Sequence, residues 1–262
     1  MTLKRWNRFV PLVIAALLAT QIKTYGQGGR GRGGPPNAKA AAPIDLTGYW
    51  VSIITEDWHY RMVTPPKGDY QSVPMTMESK KVADSWDPVK DETTGNQCKS
   101  YGAAGVMRLP ERLHVTWQDD NTLRMEIDAG TQTRVFHFSQ EKDAQRGEPT
   151  WQGDSSARWE MPIRPPGGGA PTTGPTGAGD LKVITTHMRA GYLRKNGVPY
   201  SENAVLTEYY DVVKESDDNL WLILTSVVDD PLYLQQSFII STHFRKQSDA
   251  SGWNPTPCSA RW

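Results

Sequence analysis

Apolar and polar positions alternate with a period of two along much of the chain after residue 104, which is the pattern of half-buried β-strands. Between Arg112 and Phe138, three alternating stretches are separated by the short polar turns Asp119–Asn121 and Ala129–Gly130. Short polar turns between such stretches predict an antiparallel meander. Further strand-like stretches lie at 45–55, 181–184, 203–214, 219–228 and 236–246.

Only one segment combines a helix cap with helical spacing. Thr76 can cap a helix that continues to Trp86 and ends before Pro88. Many short strands and one short helix predict an all-β fold. We expect an antiparallel β-barrel, with a β-sandwich as the alternative, because an open sheet of this length would leave long edges exposed.

Two regions have neither pattern. Residues 27–43 and 162–179 consist largely of Gly, Pro and Ala, and they cannot bury much apolar surface. We expect the first to be a disordered tether and the second a mobile insertion, since strand-like sequence resumes at Leu181. The rest of the sequence predicts a single barrel domain over residues 44–262.

The first 26 residues have the layout of a secretory signal peptide. Lys4, Arg5 and Arg8 precede an uncharged run from Phe9 to Thr20, which is too short for a stable membrane anchor. This pattern predicts an exported protein, periplasmic or secreted, without stable membrane insertion after the signal is cleaved.

The charge balance argues against one class of partner. The chain has 29 basic and 29 acidic residues, and the predicted leader holds four basic residues and no acidic ones. The mature chain is therefore slightly acidic, which predicts no nucleic-acid partner.

The two cysteines, Cys98 and Cys258, both lie in polar, turn-rich sequence. In an oxidising compartment they can pair, and we favour this disulfide over two free thiols in separate loops. Neither cysteine has the paired Cys or His spacing of a metal site, so the sequence predicts no metal at these residues. It also predicts no cofactor.

One short motif resembles a known family. Gly48-Tyr49-Trp50, on the first predicted strand, is similar to the G-x-W motif of lipocalins and other calycins. In that group the Trp closes one end of the barrel and an Arg from a late strand packs over it. The resemblance implies a calycin-like barrel, with Gly48, Trp50 and Arg245 in structural roles.

A second resemblance covers most of residues 45–258. The stretches at 45–50, 149–160, 181–187, 203–210 and 227–233 are similar to a large group of uncharacterised exported bacterial proteins. This resemblance implies a family fold and supplies no activity.

Histidines are the first candidates for chemistry. His187 and His243 sit in the related contexts Thr-Thr-His-Met-Arg and Ser-Thr-His-Phe-Arg. If both point into one barrel, they could meet Glu208 and form a metal or acid–base site. The alternative is that each is a half-buried strand residue with its own hydrogen-bond partner. Carboxylates on strands allow a glycosidase interpretation as well, although charges that alternate with apolar residues usually form the solvated face of a sheet.

Two segments favour ligand binding. Residues 56–61 (EDWHYR) and 188–197 (MRAGYLRKNG) combine aromatic rings with arginines, which suits an anionic or sugar-like ligand at a barrel mouth. The alternative is a pair of well-packed long loops. The predicted ligand-binding residues are Trp58, His59, Tyr60, Arg61, His187, Arg189 and His243.

The sequence contains no nucleophile elbow, P-loop or dinucleotide fingerprint. It therefore favours an exported, non-catalytic protein that binds a small-molecule ligand in a barrel. Two alternatives remain open at this point. One is a hydrolase or isomerase that uses His187, His243 and Glu208, and the other is a carbohydrate-binding or surface-assembly β-module.

Overall fold

The structure is a computed structural model that describes residues 37–138, 147–161 and 179–261. These residues form eleven strands and four short α-helices. The strands are β1 (Gly48–Ile53), β2 (Arg112–Asp119), β3 (Thr122–Ile127), β4 (Gln132–His137), β5 (Asp154–Glu160), β6 (Asp180–Thr186), β7 (Gly191–Tyr192), β8 (Pro199–Tyr200), β9 (Val205–Lys214), β10 (Leu220–Asp229) and β11 (Phe238–Gln247). The helices are α1 (Trp58–Arg61), α2 (Met77–Asp84), α3 (Pro88–Thr93) and α4 (Ala103–Val106).

Nine of the strands form a closed barrel in the order β1-β11-β10-β9-β6-β5-β4-β3-β2, and β7 pairs with β8 in a separate hairpin. The predicted all-β barrel is confirmed, and the fold is not a sandwich. One pairing differs from the prediction. β4 and β5 are parallel, with Phe136 opposite Ser155, whereas the other barrel pairs are antiparallel.

Alternation along each strand builds the core. In β6 every second residue is buried, so Leu181, Val183 and Thr185 face the interior. Most of the inward side chains of the barrel pack as one cluster that includes Trp50, Phe136, Tyr210, Leu222 and Phe244. The barrel interior is therefore occupied by side chains of the protein itself.

The two ends of the barrel are built differently. At one end lie the short connections between β2 and β3 and between β9 and β10. At the other end lie the long segments 54–111, 187–204 and 230–237, and these contain α1 to α4 and the β7–β8 hairpin. We call these three segments together the cap. The topology thus gathers these three connections at one end of the barrel.

The predicted helix corresponds to α2. Thr76 caps it, and its side-chain oxygen accepts a hydrogen bond from the backbone N–H of Ser79 at 3.1 Å. The expectation of a single helix is wrong, because α1, α3 and α4 were not predicted. They have only four to six residues, too few to show a helical period.

The disulfide between Cys98 and Cys258 is confirmed. It joins the cap to the segment that follows β11. Further contacts hold the same segment, since the backbone N–H of Thr256 donates to the carbonyl of Asp128 and the hydroxyl of Ser259 donates to Glu92 on α3.

The predicted tether is partly ordered. Residues 37–43 lie against the barrel: the carbonyl of Ala38 accepts a hydrogen bond from the Trp159 indole at 2.8 Å, and Ala42 is buried. The expectation of disorder over the whole of 27–43 is therefore wrong for its last residues. The predicted signal peptide, residues 27–36 and nearly all of the 162–179 insertion lie outside the described residues.

Within the described residues, no helix has the length and apolar character that crossing a membrane would require.

Candidate functional site

The cap contains a cleft of about 230 Å³. Its walls come from the end of α2, from α3 and the turn that follows it, from the β7–β8 hairpin and from the segment after β10. The aromatic side chains at the cleft are Trp86, Tyr192, Tyr200 and Tyr233, and the charged or amide side chains are Asp87, Lys90, Asp91, Asn96 and Lys99. The cleft therefore combines ring faces with closely spaced hydrogen-bonding groups.

The junction between α2 and α3 positions the first wall. The backbone N–H of Trp86 donates to the carbonyl of Ala83, and the next residue, Asp87, caps α3 by accepting hydrogen bonds from Val89 and Lys90. The Trp86 side chain then rests against Gly197, where a Cβ atom would approach Trp86 to 2.3 Å. Only glycine fits at this contact, and its φ of +84° also favours glycine.

Asp230 positions the opposite wall. This buried carboxylate accepts hydrogen bonds from the hydroxyl and the backbone N–H of Ser201, and from the backbone N–H groups of Leu232 and Tyr233. These bonds fix the turn after β10. They thereby hold the backbone of Tyr233, whose side chain lines the cleft.

A hydrogen-bonded group of three side chains forms the polar centre of the cleft. The Tyr192 hydroxyl donates to Asp91 at 2.9 Å, and the Lys99 ammonium donates to the other Asp91 oxygen at 3.0 Å. Burial, together with the hydrogen bond to Asp91, raises the pKa of Tyr192 well above its usual value. Tyr192 is therefore a neutral hydrogen-bonding group at physiological pH.

The predicted rim residues Trp58 to Arg61 form helix α1 in the cap. Trp58 is 63% exposed. His59 and Tyr60 both contact Asp69, each at 3.1 Å, and the hydrogen bond from His59 contributes most to a lowered pKa of Asp69. Arg61 is buried and forms an ion pair with Glu56. The structure also joins the two segments that composition marked out, because the Arg194 guanidinium lies 4.0 Å from the centre of the Tyr60 ring.

The other predicted ligand residues, His187, His243 and Arg189, each have a different polar partner. His187 follows β6 and contacts Asp154 at 2.9 Å. His243 faces outward on β11, between the buried residues Thr242 and Phe244, and contacts Glu56 at 3.4 Å. Arg189 lies beside the cleft, where it donates to the Asn96 side chain at 3.3 Å and covers the ring of Trp151.

The structure does not bring His187, His243 and Glu208 together. Glu208 lies inside the barrel and forms a fully buried, two-pronged ion pair with Arg134, at 2.6 and 2.8 Å. Each histidine instead has a carboxylate partner outside the barrel, in line with the alternative that these are strand residues with their own partners. No group of three His, Cys, Asp or Glu side chains within residues 37–138, 147–161 and 179–261 is arranged to hold a metal ion.

The residue that covers Trp50 is Lys246 and not Arg245. The Lys246 ammonium lies 4.4 Å from the Trp50 ring centre and donates to the carbonyl of Thr47, whereas Arg245 is exposed. Neighbouring residues of a strand face opposite sides of the sheet, so the predicted arginine points away from the barrel interior. Trp50 is fully buried, and its indole donates to the carbonyl of Leu46 at 2.9 Å. Gly48 has a φ of +95°, and a Cβ atom there would meet Lys246 at 3.0 Å.

Sequence reasoning missed most residues of the cleft. Tyr192 lies in a segment selected for its composition, but Trp86, Asp91 and Lys99 were not selected. The one local signal was Trp86-Asp87-Pro88, in which an N-cap residue followed by proline marks the start of a helix. Because the cleft joins segments about 100 residues apart, no local pattern places them together.

The chain matches no known protein-family model, no curated protein and no solved structure.

Proposed function

We propose that the protein is an exported, non-catalytic binding protein whose cleft, rather than its barrel interior, receives a small hydroxylated ligand such as a sugar unit. The observation that carries this proposal is the cleft itself, with aromatic faces beside hydrogen-bonding side chains. A concave site of this kind is the default place for a small ligand.

The charges of the cleft support a neutral ligand. The carboxylates of Asp87 and Asp91 are matched by the ammonium groups of Lys90 and Lys99. A site with balanced charges gives no net attraction for an anion or a cation. It does offer donors and acceptors to hydroxyl groups, while aromatic rings such as Trp86 provide surfaces for the C–H face of a sugar.

The size of the cleft limits the ligand. Its volume of about 230 Å³ is below the roughly 300–1,000 Å³ that is typical for drug-sized ligands. A single ring with a few hydroxyl groups suits this volume better than a lipid or a large cofactor.

The polar centre supports binding rather than catalysis. Both oxygens of Asp91 already accept hydrogen bonds, and Tyr192 is held in its neutral form. A general acid–base pair instead needs groups whose pKa values lie near the working pH. The disulfide supports the exported location, because such bonds persist mainly in oxidising compartments.

The test is isothermal titration calorimetry of the full chain with a panel of monosaccharides, disaccharides and polyols. We expect at least one member of the panel to bind. Trp86→Ala and Lys90→Ala should each weaken that binding roughly tenfold. Trp86→Ala removes a stacking surface, and Lys90→Ala removes a hydrogen bond from a charged group. Lys90 is exposed, so its replacement keeps the test valid if Trp86→Ala proves unstable.

The matched control is Trp253→Ala. Trp253 is a tryptophan on the outside of the barrel, where it packs edge-on against Tyr49 and His114. Its replacement should leave affinity unchanged. Absence of binding across the panel, or affinity that depends on Trp253 and not on Trp86 and Lys90, would overturn the proposal; the second outcome would favour a surface-binding module.

A further inference from the structure

Three arginines are buried together in the cap, separately from the residues that line the cleft. Arg61 comes from α1, Arg108 from the segment after α4, and Arg194 from the connection between β7 and β8. Their exposed fractions are 3%, 4% and 3%. The close approach of Arg194 and Arg61, after burial itself, helps to lower the pKa of Arg108 to about 10. Three like charges at such burial require compensating partners.

Arg61 and Arg108 have such partners. Arg61 donates to the carboxylate of Glu56, to the carbonyl of Arg108 and to the hydroxyl of Ser52. Arg108 donates to Asp57 at 3.3 Å and lies 5.5 Å from the centre of the Phe238 ring. Each of these two guanidinium groups therefore contacts one carboxylate.

Arg194 differs from both. Its Nη1 donates to the carbonyl of Gln71 at 2.6 Å, and its guanidinium stacks on Tyr60. Among the described residues, its Nε and Nη2 atoms have no hydrogen-bond partner although they are buried. These two nitrogens lie on the same edge of the guanidinium group, where their N–H bonds form a two-pronged fork. The fork is the geometry that matches the two oxygens of a carboxylate or phosphate.

The electrostatics of this position leave one positive charge without a contacting carboxylate. Asp57 and Asp69 act on Arg194 only at a distance, because Asp57 is hydrogen-bonded to Arg108 and Asp69 to His59 and Tyr60. A buried charge without a contacting counter-ion destabilises the folded protein. An oxyanion on the fork would remove this cost.

We propose that the free fork of Arg194 is a second binding site, which takes the carboxylate or phosphate group of a small anionic molecule. It is separate from the cleft and goes beyond the proposed function. Tyr60 forms one side of the site, and the positive charge of Arg108 adds to the attraction.

Helix α1 is the element that admits the ligand. It has only four residues, and Asp57 at its N-cap has a left-handed conformation and makes no side-chain capping hydrogen bond. A single helical turn without a cap has little stability of its own. The Tyr60 ring of α1 covers the guanidinium of Arg194, so a displacement of α1 would expose the fork, and a bound ligand would hold the helix in place.

The test uses the full chain, with sodium acetate and inorganic phosphate as probes and sodium chloride at equal ionic strength as the reference. The readout is the ¹⁵N–¹H resonance of the arginine Nε groups, together with hydrogen exchange of residues 58–62. We expect one arginine Nε resonance, which is missing in Arg194→Lys and Arg194→Gln, to shift saturably as at least one oxyanion is added. We also expect hydrogen exchange in α1 to slow. Arg194→Lys keeps the charge without the fork and should weaken binding roughly tenfold, and Arg194→Gln should abolish saturable binding.

Two matched variants complete the design. Arg158→Gln removes an exposed arginine of β5 and should leave oxyanion binding unchanged. Trp253→Ala, the control of the sugar titrations, should also leave it unchanged, and because no residue of the cleft is altered, a failure of the sugar-binding proposal would not affect this result. The inference is overturned if neither anion gives a saturable shift in the unmodified protein, or if Arg194→Lys binds as tightly as the unmodified protein does.

Discussion

Glu111 is a carboxylic acid enclosed between the barrel and its cap. It is 3% exposed, and neither of its carboxylate oxygens has a hydrogen-bond partner among the described residues. Burial, reinforced by the charge of Asp128, raises the pKa of Glu111 well above its usual value, although Arg61 and Arg134 oppose this. Desolvation thus outweighs two nearby positive charges, and burial favours the neutral form of Glu111 in the folded protein.

This burial predicts a pH dependence of stability. A raised pKa in the folded state means that the folded protein binds more protons than the unfolded chain. The contribution of this proton binding to the free energy of unfolding is complete below the pKa of Glu111 in the unfolded chain. It decreases as the pH rises from there towards the pKa of Glu111 in the folded protein. Over that window the free energy of unfolding should fall by up to about 1.4 kcal/mol per pH unit. Glu111→Gln should remove this slope, measured by urea unfolding at pH 5, 6 and 7.

The control for this experiment is Glu78→Gln, which changes an exposed carboxylate on α2. It should keep the slope of the unmodified protein. Equal slopes in Glu111→Gln and the unmodified protein would contradict the assignment.

At the same scale, the sequence predicts which residue types matter better than which way they point. It predicts a structural role for Trp50, but it assigns the cation that covers this ring to Arg245 instead of the neighbouring Lys246. A shift of one residue on a strand reverses the face of the sheet, and only the register with β1, in which Trp50 lies opposite Lys246, resolves the choice. The contact between Tyr60 and Arg194 was equally hidden, because two separately selected segments meet only in the folded cap.

The disulfide between Cys98 and Cys258 is a covalent link between the cap and the segment that follows β11. It closes a loop with a sequence separation of 160 residues, for which chain entropy alone gives about 4–5 kcal/mol of stability. The variant in which both Cys98 and Cys258 are replaced by serine should lose this free energy of unfolding. Chemical unfolding of the two proteins measures the difference directly.

Loss of the disulfide should also lower the affinity of the cleft for its ligand. The segment beyond Cys258 holds α3 through Glu92, which accepts hydrogen bonds from Ser259 and from the backbone N–H of Ala260. Since α3 carries Asp91, a loosened helix should weaken any ligand of the cleft. An unchanged affinity in the double serine variant would show that α3 is held by its other contacts.

Elements were predictable in proportion to their length. The strands of ten residues, β9, β10 and β11, correspond to three of the longest alternating stretches, and α2 was found from its cap and eight-residue span. α3 was missed although Asp87-Pro88 is a start signal, because no periodic segment follows it. The parallel pairing of β4 with β5 could not be predicted, since alternation alone does not distinguish parallel from antiparallel neighbours.

For the whole molecule, the sequence predicted closure of the barrel but not what fills it. The expected hollow interior is instead packed with side chains, and it contains the ion pair of Arg134 and Glu208. Tyr210 and Thr185 also accept hydrogen bonds from this arginine. Charged residues on strands were interpreted as a solvated face, and nothing in their spacing reveals that these two meet inside.

This ion pair gives the prediction for the barrel as a unit. Glu208→Leu leaves Arg134 buried without its partner and should cost about 3–5 kcal/mol in the free energy of unfolding. The double variant Arg134→Met/Glu208→Leu removes both charges and should restore most of that loss, or exceed the stability of the unmodified protein. Unfolding by guanidinium chloride compares the three proteins, and a double variant as unstable as the single one would show that hydrogen bonding to Tyr210 and Thr185 matters more than charge balance.

The position of the disulfide has a mechanical consequence. Cys98 precedes β2 and Cys258 follows β11, so every barrel strand except β1 lies between the two bridged residues. If force were applied at the two termini of the oxidised chain, it would detach β1 from the barrel. Extension of the chain would then stop at the disulfide. About 500–600 Å of polypeptide would stay shielded from extension until a reductant cut the bond.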